Sequence, residues 1–142
     1  MAIDPAKRAA LEARIDAIED CYEFLLAYAA QGRLADSSSG PGAQVRGFLE
    51  RADEAMDGIG KAVADCLGDP KGGASDPYRA LIPVLDDDAR KARIAMGVVL
   101  AQAGISSQMI DNLNASIHVR ALLTDMFLID EALKISLRME SV

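Results

Sequence analysis

One histidine and two aspartates have side chains and a spacing that could support metal binding or proton transfer. Asp111, His118 and Asp125 follow one another at intervals of seven residues, which places them on one side of a helix. A carboxylate–imidazole–carboxylate set can bind a metal ion or relay a proton. Neighbours seven residues apart are separated by about 10 Å along the axis, so one ion cannot join them without ligands from another helix. We expect a polar stripe facing solvent, and keep a ligand- or metal-binding bundle using these residues as the alternative.

Other chemistries of helical bundles lack their residues here. A ferritin-like di-iron site uses Glu-x-x-His pairs, but Ala115 stands three residues before His118, which is the only histidine. Covalent haem attachment requires Cys-x-x-Cys-His, whereas Cys21 and Cys66 stand far apart. We interpret both cysteines as small hydrophobic residues. The sequence therefore predicts no enzymatic activity, no cofactor and no metal ion.

The composition describes an acidic chain that is rich in apolar residues. Its 142 residues, 51% of them hydrophobic, are enough for one domain over 1–142 with a real core. A formal net charge of −7 does not favour binding to nucleic acid or to an anionic membrane surface. No apolar run reaches the roughly 18 residues of a membrane span, and the N-terminus lacks a signal-peptide core. We expect a cytoplasmic protein.

Capping residues and apolar periodicity predict helices in the first half of the chain. Asp4 and Pro5 begin the first helix, which ends before Gly32. A second helix is predicted over about 43–67, where Gly58 and Gly60 permit either a kink or the close approach of a neighbouring helix. The first helix carries an apolar seam at alternating steps of four and three: Leu11, Ile15, Ile18, Tyr22, Leu25 and Ala29.

The third helix is expected in two pieces. A short helix starts at Asp76 and is interrupted by Pro83, because proline removes a hydrogen bond and clashes with the preceding turn. A longer helix follows over about 86–103, with three aspartates at its positive N-terminal end. Its predicted core stripe is Ile94, Val98 and Ala101. With a fourth helix behind it, the chain predicts an all-α fold: a four-helix up-down bundle with a short extra helix before helix three.

The fourth predicted helix starts after Ser106 as N-cap and is more apolar than one buried face requires. Apolar side chains cover nearly its whole circumference over residues 122–129, and a helix that is apolar all round is normally buried. Either this segment is the middle of the bundle, or it also contacts another chain. The tail from residue 134 alternates apolar and polar residues, so it either continues the helix or forms a short strand.

The excess of apolar surface, without a catalytic set, indicates a non-catalytic interaction protein. We expect an accessory, assembly or regulatory subunit that binds a larger complex, or a second copy of itself, through helix four. The residues expected at this contact are Leu122, Met126, Phe127, Ile129, Leu133 and Leu137.

Overall fold

A computed structural model describes residues 3–37, 39–68 and 76–140, and within these ranges all regular structure is helical. The all-α prediction is therefore confirmed. The helices are more numerous than expected because two of the predicted long helices are divided. They are α1 (Pro5–Ala29), α2 (Pro41–Met56), α3 (Ile59–Leu67), α4 (Asp76–Leu100), α5 (Ser107–Ala115) and α6 (Ile117–Glu140). None of these helices combines the length and the apolar character needed to cross a membrane.

Helix α1 begins where its capping residues predict. The Asp4 carboxylate accepts hydrogen bonds from the backbone N–H groups of Ala6 and Lys7, at 2.9 and 3.2 Å, and Pro5 opens the first turn. These bonds satisfy N–H groups that have no partner within a helix. Of the predicted seam, Leu11, Ile15, Ile18 and Leu25 are buried, whereas Tyr22 and Ala29 are only partly buried. Cys21 and Tyr28 take the buried positions next to them.

The predicted second helix is divided at Gly58, and its two glycines have different tasks. Gly58 adopts φ +74°, a left-handed conformation that ends α2 and allows α3 to start in a new direction. The Gly60 N–H donates to the Asp86 carboxylate of α4 at 2.8 Å. A Cβ atom at residue 60 would collide with that carboxylate. Asp86 thus caps α3, whereas the sequence predicted that it starts a helix.

Helix α4 corrects two predictions. It runs without a break through Pro83, which lies on the exposed side where water can reach a carbonyl deprived of its partner. Apolar residues on both sides of Pro83 pack against the core, among them Leu85. The predicted core stripe is also wrong, because the side chains of Ile94 and Val98 are more than half exposed. The core side of α4 consists of Leu85, Ala89, Ala92, Met96 and Val99.

The predicted fourth helix is divided at Ser116. The Ser106 hydroxyl accepts from the Met109 N–H at 3.0 Å, which confirms the predicted cap of α5. The backbone of Ser116 is extended (ψ 128°), and its hydroxyl accepts from the His118 N–H at 3.3 Å in the first turn of α6. Helix α6 then continues to Glu140, so the helical interpretation of the tail holds and a strand is not formed there.

Candidate interaction surface on α6

The structure places most of the residues predicted for the contact in the core of the single chain. Leu122, Met126, Ile129 and Leu133 are at most 2% exposed. A partner cannot reach these four residues without opening the fold. Their burial therefore contradicts the prediction that the contact is centred on them. Phe127 is 39% exposed and remains accessible. The side chain of Leu137 lies outside the described part of the structure.

The face of α6 opposite these core residues is apolar as well. Ile117 is 75% exposed, Leu128 61% and Ile135 48%. They belong to one row with alternating steps of four and three, the spacing of a seam along which two helices pack. We call this row the outer stripe of α6; it consists of Ile117, Ala121, Thr124, Leu128, Glu131 and Ile135.

Two charged residues lie along one flank of the outer stripe: Arg120, next to the stripe, and Glu131, which belongs to it. At about 100° per residue, Arg120 and Glu131 lie about 20° apart around the helix. Both side chains are exposed. Glu131 contacts Arg138 of the same helix at 3.4 Å, an exposed pair that contributes little. The guanidinium of Arg120 forms no hydrogen bond or ion pair with the described residues, and is therefore available to an acidic partner.

Helix α4 also exposes apolar side chains, but over a shorter distance. Ile94 and Val98 lie one turn apart, and Val84 is exposed near the start of the helix. Charged residues interrupt this side of α4, where Asp87 accepts from Arg90 at 2.9 Å. The outer stripe of α6 is the longer and more continuous apolar surface of the two.

The structure does not bring together the residues of the alternative function. The division at Ser116 separates Asp111 on α5 from His118 and Asp125 on α6, so the three do not share one continuous helix. Asp111 and His118 are exposed, while Asp125 turns towards Asp88 of α4. In the described part of the chain, no three His, Cys, Asp or Glu side chains are grouped as metal ligands would be.

The contact between Asp125 and Asp88 is the strongest electrostatic perturbation on α6. Burial, together with the hydrogen bond and the charge of Asp88, raises the pKa of Asp125 to about 7. The Oδ2 atom of Asp125 is buried and has no hydrogen-bond partner in the described residues. Two carboxyl groups in contact cannot both ionise without cost, so the pair retains a proton close to neutral pH.

Neither the two cysteine thiols nor the core cavity forms a reactive site. Cys21 and Cys66 are buried and not joined by a disulfide. Burial raises the pKa of Cys21 to about 12 and also raises the pKa of Cys66, which keeps both as unreactive thiols. A core cavity bordered by Leu25, Met96 and Leu122 has a volume of about 20 Å³. A cavity of that size holds at most a water molecule.

Comparisons with protein-family models, with curated proteins and with solved structures found no match for this chain. The surface and the packing of the chain itself are therefore the grounds for a functional proposal.

Proposed function

We propose that this chain is a non-catalytic interaction protein, an accessory, assembly or regulatory subunit of a cytoplasmic assembly, and that it binds through the outer stripe of α6. The observation that carries the proposal is the exposure of Ile117, Leu128 and Ile135 opposite a fully buried core face. Scattered apolar residues on a surface are ordinary, whereas a periodic row along one helix is typical of a contact.

The chain would present this stripe from a bundle of four helical rods. In this interpretation α2 and α3 together form one bent rod, and α5 and α6 form another. These two rods pack beside α1 and α4, and successive rods run in alternating up and down directions. The contacts of α1 with α2, α3 and α5, and of α4 with α3 and α6, support this arrangement. The outer side of α6 is then left for a partner.

The exposed stripe is tested by crosslinking from defined positions. A photoreactive phenylalanine analogue replaces Leu128 in the full chain, and in a matched control it replaces Glu50, an exposed residue of α2. After irradiation of cells that contain the protein, we expect a discrete adduct from position 128 and none of that size from position 50. Equal adducts from both positions, or none from position 128, would contradict the proposal.

A further inference from the structure

We infer that the partner at this surface is a second copy of the same chain, whose α6 packs antiparallel on the outer stripe across a two-fold axis. The inference rests on the proposed function and specifies the occupant. A two-fold contact uses the same surface twice, so that surface must be complementary to itself. Both the order of the side chains and the distribution of charge along α6 meet this condition.

The stripe is complementary to itself when the two-fold axis crosses it midway between Thr124 and Leu128, level with residue 126 along the helix. Ile117 then faces Ile135 of the second copy, and Leu128 faces Thr124. Large side chains thus meet at the two ends, while Leu128 meets a smaller residue near the centre. Alternation of large and small side chains lets two helices approach closely. The row from Ile117 to Ile135 extends for about 27 Å at 1.5 Å per residue, long enough for a specific helix pair.

The charges select the antiparallel direction. In antiparallel packing, the flank that carries Arg120 and Glu131 meets the same flank of the second copy. With the two-fold axis level with residue 126, Arg120 and the second copy's Glu131 are displaced by only about 1.5 Å along the helix axis, within reach of an ion pair. Two such pairs form per dimer. They bring opposite charges together in a chain whose net charge of −7 otherwise opposes self-association.

Parallel packing would use Asp125 instead. It would bring Arg120 towards Asp125 of the second copy, on the opposite flank of the seam. That carboxyl group is already turned towards Asp88 in the contact between α4 and α6. The acidic side chain on the exposed side of α6 is Glu131, whose contact with Arg138 is a weak exposed pair, and only the antiparallel direction brings Arg120 and Glu131 together.

The experiment is a charge-reversal cycle followed by analytical ultracentrifugation of the purified full chain, over concentrations of about 1 μM to 1 mM. We expect a reversible monomer–dimer equilibrium, because one helix pair buries a modest area. Arg120→Glu and Glu131→Arg should each raise the Kd by about 10-fold. The double variant keeps the net charge of the wild type and should return to within about 3-fold of its Kd. Glu50→Arg is the matched control and should leave the Kd unchanged.

The outcomes separate this inference from the proposed function. Purified wild type that stays monomeric at every concentration overturns the inference, whereas an adduct of residue 128 with a different protein would still support an interaction role. A dimer that shows no rescue in the double variant also overturns it, because the two copies then meet through another surface. All variants change exposed side chains, and circular dichroism verifies that each is folded.

Discussion

The contact between Asp88 and Asp125 should make the protein less stable as the pH rises towards neutrality. Asp88 lies on α4 and Asp125 on α6, so the two carboxyl groups meet between two packed helices. Burial, followed by the hydrogen bond and charge of Asp88, raises the pKa of Asp125 from 3.8 to about 7. The folded protein therefore holds a proton at this site that the unfolded chain releases.

The direction and the size of the effect follow from proton linkage. A carboxyl group whose pKa is raised on folding contributes its full stabilisation below the unfolded value of 3.8, and loses it as the pH rises to about 7. Each pH unit between these limits removes about 1.4 kcal/mol. Between pH 5 and pH 7 the loss reaches about 2 kcal/mol, because the slope decreases as the pH approaches the folded value, and partial exposure of Asp125 makes this an upper limit.

The variant Asp125→Asn isolates this contribution. Asparagine cannot ionise, and its amide N–H can donate to the Asp88 carboxylate as a protonated acid would. We expect the free energy of unfolding of the variant, relative to wild type, to increase by about 2 to 3 kcal/mol between pH 5 and pH 8. Asp111→Asn is the matched control, since Asp111 is exposed on α5 and should show no such increase.

The measurement is urea unfolding of the wild type and both variants at pH 5 and pH 8, followed by circular dichroism. The comparison at each pH removes contributions of other titrating groups that are common to all three proteins. If the relative stability of Asp125→Asn is the same at both pH values, Asp125 is ionised in the folded protein at no cost. The reasoning from its burial beside Asp88 would then be refuted.

Two further predictions concern packing. Leu25→Ala should lower the free energy of unfolding by about 2 to 5 kcal/mol, whereas Leu26→Ala should change it by less than about 1 kcal/mol. The reason is that Leu25 is 3% and Leu26 49% exposed. Equal losses in urea unfolding would contradict the assignment of the core face. Gly60→Ala should destabilise the protein by more than about 1 kcal/mol, although alanine favours helices, because the new Cβ displaces the Asp86 carboxylate that caps α3. A thermal melt in which Gly60→Ala is more stable than wild type would show that Asp86 moves aside without cost.

Local signals predicted the helix starts that the structure confirms. Asp4 and Ser106 cap α1 and α5 with their own side chains, so the residues that decide the conformation lie within three positions of one another. The same is true of the apolar seam of α1, whose period can be read from consecutive turns. Such features depend little on what the rest of the chain does.

The division between α5 and α6 depends on distant parts of the chain instead. The buried Asn114 amide donates to the Leu25 carbonyl of α1 at 3.1 Å, and α5 packs on α1. Helix α6 packs mainly on α4. A single straight helix cannot make both contacts, and the extended backbone of Ser116 changes the direction between them. Nothing in the apolar period of residues 107–133 indicates this change.

The core stripe of α4 could not be assigned from periodicity alone. Ile94 and Val98 form a regular apolar row, and so do Ala92, Met96 and Val99 on another side of the same helix. The sequence prediction chose the first row, but the structure buries the second. The choice depends on tertiary packing, where alanine allows neighbouring helices to approach closely.

The rotation of α6 explains why the sequence indicated an interaction segment without indicating which of its residues are exposed. Arg8 of α1, almost completely buried, donates to Asp130 at 2.8 Å, across 122 positions of the chain. Burial raises the pKa of Asp130, but hydrogen bonds from Arg8 and Lys134 outweigh it and hold that pKa below its ordinary range. Asp130 thus turns one side of α6 towards α1, while Asp125 turns another side towards α4. The core residues lie between these two directions, so the remaining side, with Leu128 at its centre, must face away from the core.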